Sequence, residues 1–548
     1  MVKTFFNFSL IILLLTLGGC ASRLKDKMKA YREAYAAGDL PKATVLLKDS
    51  GLEKEKNSEL LWELEAGTLA LSQSNETEAI KHLSAAIDLI DKLYTKKISA
   101  KAASFLINDA SDVFYGASYE RSYAHYFLSK AYYSRFLKTQ EKLDLQGARA
   151  TILAWDSYFS ELQRSAASKT IYQTDLMLKI FGAEVHEVSQ IRNDKQIALQ
   201  LYKDALQILD GMGGAFSVFN TSNADYIKAL VDGKKPEESS YLATNAQKDL
   251  KNFIQYKILS LTKDMRSSEL NSLLKMMKPS EEVVKKLDEP TANVVIVLEE
   301  GLIPQKVGKV FNFGLKGAID SIDSPGAKAF ISTVGAEVLT AFAMTNLGMN
   351  PQAASSTGSF IFAHDVTRLA VQEAAIAFEL PMIENSPVVK DLKLVILDEK
   401  GSVLRSEALA IVSENGDIAK LVLEEDIVNH YVKTGTRVAV KHLLAIVAAM
   451  QVYNKLKDKG AFIAHAASMA TYVGASKGIA ALEKADTRHW TTLPQLFRMT
   501  EVNLAAGNYQ IALIPTGSEV VTANLKILGN IKVNNSGKSI HSFRLVQP

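Results

Sequence analysis

The sequence predicts an α+β multidomain chain: an N-terminal α-helical array, a mixed α/β region and a small C-terminal β-sheet domain. Three observations predict it. Across residues 24–210, small and bulky residues recur at steps of four and three, the spacing of one helix face, as at Ala198, Tyr202 and Ala205. At Glu289-Pro290 that period stops, because the residue before a proline is pushed out of the helical region. Over the last stretch, from Leu504, apolar and polar residues alternate between turn signals, as in hairpins with one solvated face.

Composition narrows the class. With 548 residues, 47% hydrophobic and 22% charged, the chain has material for roughly three or four domains and is not disordered in bulk. Its 63 basic residues nearly balance 60 acidic ones, which argues against nucleic-acid binding driven by global charge. One cysteine excludes a disulfide framework and a cysteine-rich zinc domain.

Residues 1–20, MVKTFFNFSLIILLLTLGGC, open with Lys3 and continue into an apolar core from Leu10 to Leu17. The run is too short to span a bilayer and reads as a secretory signal. It ends at Leu17-Gly18-Gly19-Cys20, which resembles the lipobox of bacterial lipoproteins. That resemblance implies cleavage between Gly19 and Cys20, acylation of Cys20, a short tether over residues 20–23, and, with Ala21 next, sorting to the outer membrane facing the periplasm. Several acyl chains anchor stably where one is marginal. Removing residues 1–19 takes away one base and no acid, leaving 62 − 60 = +2.

The helical array is expected over residues 24–210. Its rhythm recurs at Ala79, Leu83 and Ala86, after Trp62, Gly67 and Leu71, with a weaker copy through Tyr31, Ala43 and Leu47. A stretched copy runs through Tyr132, Ala148 and Ile152, and small residues Gly182 and Ala183 precede the copy at Ala198. This resembles the tetratricopeptide repeat, in which small residues let antiparallel helices close and a bulky residue fills the space between them. An irregular helical bundle is the alternative. Residues 211–290 read as a helical transition region: Gly211, Gly213 and Gly214 break the last repeat, and helical patterns resume from about Asn245 to Leu287.

The mixed α/β domain is expected over 291–485. Asn293–Leu298 is a β-branched run fit for a buried strand, and Ile376–Met382, Leu392–Leu397 and Ser402–Leu404 also read as strands. A turn at Asp398–Gly401 joins the last two, and helical patterns fall at about 326–347, 358–373 and 436–484. In the β domain of 486–548, Leu504–Tyr509 leads into QIALI, then TANLKIL, a short IKV, a turn at Asn535–Lys538 and the strand HSFRLV.

Two stretches, VVIVLEEGLIPQK at Val294–Lys306 and DTRHWTTLP at Asp486–Pro494, followed by Leu504–Tyr509, carry a further resemblance. With the lipobox and the helical repeats, they resemble a little-characterised family of Gram-negative envelope lipoproteins. The resemblance covers most of the mature chain. It brings no reaction and no catalytic residues, and implies a periplasmic lipoprotein working beside other envelope lipoproteins, including regulators of cell-wall synthesis.

Reactive chemistry is mostly missing from the sequence. His186-Glu187 lacks the second histidine of H-E-x-x-H, and His364, His430, His442 and His465 are isolated, so no metal is expected. Gly474-Ala-Ser476-Lys-Gly478 matches G-x-S-x-G, with Asp486 and His489 in hydrolase order. Ten and thirteen residues are too few to carry the elements that assemble such a triad, and the alanines around Ser476 favour a continuous helix in which Gly474 and Gly478 permit close packing. No phosphate loop occurs, and no cofactor is expected. Glu299-Glu300 point to opposite faces of a strand and read as a solvated edge. The cluster Arg488, His489 and Trp490 offers a ring beside a guanidinium, able to stack on a sugar or peptide ligand. The competing reading is a structural anchor between the long helix and the β tail.

The function expected is therefore a non-catalytic, outer-membrane-anchored scaffold or adaptor. Its partners would be the membrane through the lipid on Cys20 and envelope proteins through the repeats, such as cell-wall synthases, secretion apparatus or a motility complex. A structural ring or collar homo-oligomer and, less favoured, a cell-wall hydrolase centred on Ser476 or Glu299 are the alternatives. Among the repeat aromatics Trp62, Tyr126, Tyr132 and Tyr202, helical spacing favours core packing over contact with a partner.

Overall fold

The computed structural model describes residues 19–97, 113–164, 172, 174–210, 245–313, 376–384, 392–423, 451–453, 455–521, 524–534 and 537–546, with positions 434, 438, 441 and 448. The expected signal segment up to residue 18, the glycine break expected after residue 210 and the helices expected at 326–347 and 358–373 lie outside the described residues. So do His364, His430 and His442.

The chain is α+β. Among the described residues eight helices lead: α1 Gly19–Ala36, α2 Leu40–Asp49, α3 Glu59–Ser72, α4 Glu76–Lys97, α5 Ser118–Thr139, α6 Lys142–Arg164, α7 Leu176–Val188 and α8 Arg192–Leu209. Cys20 lies in the first turn of α1. Local chemistry starts the helices where the sequence permits. The Asp39 carboxylate accepts from Lys42 N at 3.1 Å ahead of α2, and Asp175 from Met177 N at 2.7 Å ahead of α7.

The small-and-bulky rhythm marks the seams between these helices. Ala43, Ala79, Leu83, Ala86, Ala148, Ala198, Tyr202 and Ala205 are completely buried. Gly67 shows why a small residue is required: a Cβ there would lie 2.6 Å from Leu83 Cγ. The same holds at Gly147 against the Tyr132 ring and at Gly182 against Ile152.

After residue 244 the helices resume as α9 Asn245–Met265, α10 Leu270–Met277 and α11 Glu281–Lys286. Leu250, Ile254 and Ile258 of α9 belong to the same core as the array, so the described part of the transition region, from residue 245, extends it.

The strands are β1 Val294–Glu300, β2 Lys306–Phe313, β3 Ile376–Ile383, β4 Leu392–Leu397, β5 Val403–Ala408 and β6 Ala410–Glu414. After the long helix α12, Ala461–Leu482, follow β7 Leu496–Val502, β8 Gly507–Pro515, β9 Lys526–Val533 and β10 Ser539–Leu545. They form an inner sheet of order β10-β1-β7-β6, an outer sheet of order β5-β4-β8-β9, and a ribbon of β2 and β3. Strand β1 is buried along its whole length, parallel to β10 and antiparallel to β7.

Alternation along β1 explains the layering. Val294, Ile296 and Leu298 pack with Leu394, Ile396, Ile511 and Leu513 of the outer sheet. Val295 and Val297, with Phe497, Met499 and Ile540, join the core of the helices. The molecule is thus three layers deep: helices, inner sheet, outer sheet.

This corrects the separate C-terminal β domain expected over 486–548. Strands β7 and β10 flank β1 in the inner sheet, while β8 and β9 extend the outer sheet begun by β4 and β5. A boundary at 485/486 would cut through both sheets, because only the late strands complete the pairing of the early ones. The KIL end of TANLKIL and the short IKV join in one strand, β9, with a register shift opposite Ile511 and Ala512. Strands β2, β6 and β7 were not expected. The turn at Asp398–Gly401 is present, with Gly401 at φ +79°.

Candidate functional site

The expected cluster Arg488, His489 and Trp490 lies in a non-regular segment, residues 483–495, threaded between the helices and the inner sheet. Trp490 is fully buried. Its ring centre lies 5.2 Å from that of Phe127, its indole N–H donates to Thr68 Oγ1 at 3.1 Å, and its backbone N–H donates to Glu120 Oε1 at 2.6 Å. A stacking platform needs an open ring face, and this ring has none. The anchor reading fits better, but the elements joined are the helical array and the strands rather than α12 and the β tail.

Arg488 closes the same clamp. It binds Asp486 through Nε at 2.9 Å and Nη2 at 2.8 Å, and donates to Asn57 O at 3.1 Å and Ser58 Oγ at 3.2 Å. Burial opposes the charge on Asp486, and the Arg488 guanidinium outweighs it, holding the carboxyl below its usual range. His489 is buried, and burial pushes its imidazole down to about 3 despite the bond of Nδ1 to Thr487 O at 3.0 Å. It stays neutral across physiological pH.

Side chains of the array hold the main chain of this segment. Glu65, fully buried on α3, accepts from Thr491 N at 2.6 Å, Thr491 Oγ1 at 2.7 Å, Thr492 Oγ1 at 2.5 Å and Tyr31 OH at 3.2 Å. Burial raises its carboxyl above the ordinary value, and these four donors act against that. Arg32 of α1 donates to Thr491 O at 2.7 Å and Ile303 O at 2.6 Å, and Arg544 of β10 to Thr492 O at 2.8 Å. Gly301, at φ +67°, lets the chain leave β1 against Gln495, whose side chain a Cβ would meet at 3.2 Å.

A second polar focus lies on the same helix–sheet boundary. Lys257 of α9 and Lys538 ahead of β10 face Glu184 and Glu187 of α7 and Glu501 of β7, all five buried. Lys257 Nζ lies 3.5, 2.8 and 3.0 Å from Glu184, Glu187 and Glu501. Lys538 pairs with Glu184, with Glu187 at 2.7 Å and with Glu501 at 3.6 Å. Tyr202 OH donates to Glu184 at 2.6 Å.

Burial would lower the Lys257 ammonium, but the three carboxylates drive it well above its ordinary value. Burial likewise works to raise Glu187, and the two ammoniums bring it down to about 2. At Glu184 burial prevails and the carboxyl is raised. Three carboxylates thus face two ammoniums, leaving one negative charge in excess. The ammoniums occupy the centre a metal would need, and among the described residues no group of His, Cys, Asp or Glu is disposed to hold one.

The paired carboxylates Glu299 and Glu300 do point to opposite faces, but neither is a solvated edge. Glu299 accepts from Tyr126 OH at 2.7 Å and Lys130 Nζ at 2.5 Å under the helices, and Glu300 from Arg498 Nε at 2.8 Å on the other face. Tyr126 and Tyr202 are buried core residues, whereas Trp62 and Tyr132 are half-buried against the array.

Ser476 sits inside the continuous helix α12 rather than at a strand-to-helix elbow. Gly474 and Gly478 meet nothing within 4 Å, so the close packing expected at them is not found among the described residues. His186 bonds Asp194 at 3.1 Å.

Sequence reasoning found the Trp490 segment but missed Glu65, Glu120 and the five-charge cage. A lone charge among apolar residues, as Lys257 is in FIQYKILSL, was the only available signal. Comparison with known protein families, characterised proteins and solved structures finds no match to this chain.

Proposed function

We propose that the chain is a non-catalytic periplasmic lipoprotein, anchored in the outer membrane through Cys20, that serves as a protein-binding scaffold or adaptor for an envelope complex. In this reading residues 24–210 are a tetratricopeptide-like array. Its support is the recurrence of Gly67, Gly147 and Gly182 under bulky partners and the Leu17–Cys20 lipobox.

The observation that carries the reading is how the array treats residues 488–495. It grips a non-regular segment by accepting main-chain N–H groups on Glu65 and Glu120 and donating from Arg32 to a main-chain carbonyl. That is the chemistry of peptide recognition, used here within one chain. Rigidity follows, since α1, which carries the tether, is bonded directly to the segment through Arg32. Acylation would confine this rigid body to a surface and raise the local concentration of whatever it binds.

The test is crosslinking in intact cells, followed by membrane fractionation and mass spectrometry. Deleting the array would also remove the inner sheet's cover, so point changes are the better probe. Val45, Leu143, Leu153 and Ile191 are exposed apolar residues on the array, and their replacement by glutamate leaves the core intact. Wild type should fractionate with the outer membrane and recover a defined envelope complex that these changes abolish. Cys20→Ala should lose the membrane. A partnerless protein refutes the scaffold, and recovery of the chain alone in a large particle replaces it with the ring or collar.

A further inference from the structure

We infer that the turn and the outer side of helix α12, from Lys455 to Lys477, form a docking surface for an anionic lipid bilayer. A helix apolar on every side is ordinarily wrapped by protein or lipid, and among the described residues α12 has one buried side and one exposed side. Ala464, Tyr472 and Ser476 are buried. Phe462 is 85% exposed, more than any other large apolar side chain among the described residues, and Ile463 beside it is 54% exposed. Ala466, Ala470, Val473 and Gly474 continue the exposed side at helical spacing, so the open residues make one stripe.

Charge identifies the occupant. Lys455, Lys457 and Lys459 stand exposed just before Phe462, and Lys477 stands exposed at the far end of the stripe. Asp458 is the single acid between residues 455 and 477, so the surface carries 4 − 1 = +3. Lysine stems reach upward to phosphates while their apolar neighbours enter the acyl boundary. Basic clusters of this kind are drawn to anionic leaflets. A protein interface would be expected to exclude lysine from its centre, and a second copy docked on the same face would set +3 against +3. Among the described residues no helix is long and apolar enough to cross a membrane, so the contact is peripheral.

The surface is independent of acylation at Cys20, and the test keeps the two apart. The chain from Gly19, where the described structure starts, is purified without lipid and sedimented with vesicles of phosphatidylglycerol and phosphatidylcholine, or of phosphatidylcholine alone. Binding is expected only to the anionic vesicles and should weaken with salt. Phe462→Ser with Ile463→Ser should reduce it about 10- to 100-fold, and each of Lys455→Gln, Lys457→Gln and Lys459→Gln roughly fivefold. These side chains are exposed, so unchanged circular dichroism is expected of every variant. No binding, binding equal on both vesicles, or binding indifferent to the serine pair overturns the proposal. A dimer in solution that the serine pair dissolves also overturns it, in favour of contact between copies.

Discussion

Replacing Lys257 by methionine tests whether the buried cage holds the helices to the inner sheet. Methionine keeps most of the stem and removes the charge, leaving Glu184, Glu187 and Glu501 around Lys538 alone. Removing one partner from a fully buried ion network costs about 3–5 kcal/mol. Glu187 gives a second route to the same magnitude. Burial works to raise it, and Lys257 and Lys538 together bring it from 4.5 to about 2. Such a shift corresponds to about 3 kcal/mol. The unfolded chain binds this proton more tightly, so the contribution is fully present above about pH 4.5 and is lost as pH falls through about 2. Without Lys257 burial regains ground and Glu187 moves upward. The gap between wild type and Lys257→Met should therefore be widest above pH 4.5 and narrow toward pH 2. Urea unfolding followed by tryptophan emission measures it, because Trp490 sits on the same helix–sheet boundary. A loss below about 1 kcal/mol at neutral pH, the scale of exposed pairs, or a gap independent of pH, would refute the argument.

Other predictions follow from single sites. Asp175, fully buried, is raised by burial from 3.8 to about 6, although Tyr172 and the N–H of Met177 act to lower it. The folded state holds that proton more tightly, so stability is fully present below about pH 4 and falls by about 3 kcal/mol on the way to pH 6. Asp175→Asn, which can still cap α7, should flatten that slope in a series of unfolding titrations. Gly67→Ala should lower the thermal midpoint, since overpacking against Leu83 costs about 1–3 kcal/mol and outweighs the gain of about 1 kcal/mol in helix propensity. Gly474→Ala, open on all sides within 4 Å among the described residues, should raise the midpoint by the propensity term alone. Equal responses at the two glycines would contradict the seam reading of the array.

Local patterns were legible in the sequence, and pairings were not. The rhythm at Ala79, Leu83 and Ala86 named buried positions because a helix face repeats within one turn. The run Asn293–Leu298 announced β1 because a strand covered on both faces has no polar side to show. Strand β7, LFRMTEV, escaped because its alternation carries Arg498 and Glu501, which read as solvent-facing. Each is paid for by a partner far along the chain, Glu300 for Arg498 and Lys257 for Glu501. The same distance hid the interleaving of the two sheets, since no local signal tells β10 to lie beside β1. In the candidate site Trp490 was legible as a rare aromatic in a polar run. Glu65 was not, because a carboxylate that accepts four hydrogen bonds looks, one residue at a time, like a surface charge.

The clamp on residues 488–495 also limits where a partner can bind. A segment joined to its own receptor is present at an effective concentration of about millimolar even for flexible links. Loss of the Trp490 ring from its seat would cost a further ~3–5 kcal/mol. A free peptide reading the same groove must overcome both terms, which micromolar affinity at cellular concentrations does not do. Glu65, Glu120 and Arg32 are therefore committed to holding the fold, and the surfaces left to an adaptor are outside it. On the array these are the sides bearing Val45, Leu143, Leu153 and Ile191. Leu143 and Leu153 both belong to α6, which is separated from the inner sheet by its neighbour α5, where Tyr123 stacks on Phe497 at 5.1 Å. On the proposed adaptor reading, the inner helix faces serve rigidity and the outer ones recognition, so loss of partner binding and loss of folding should map to different residues of the same helices.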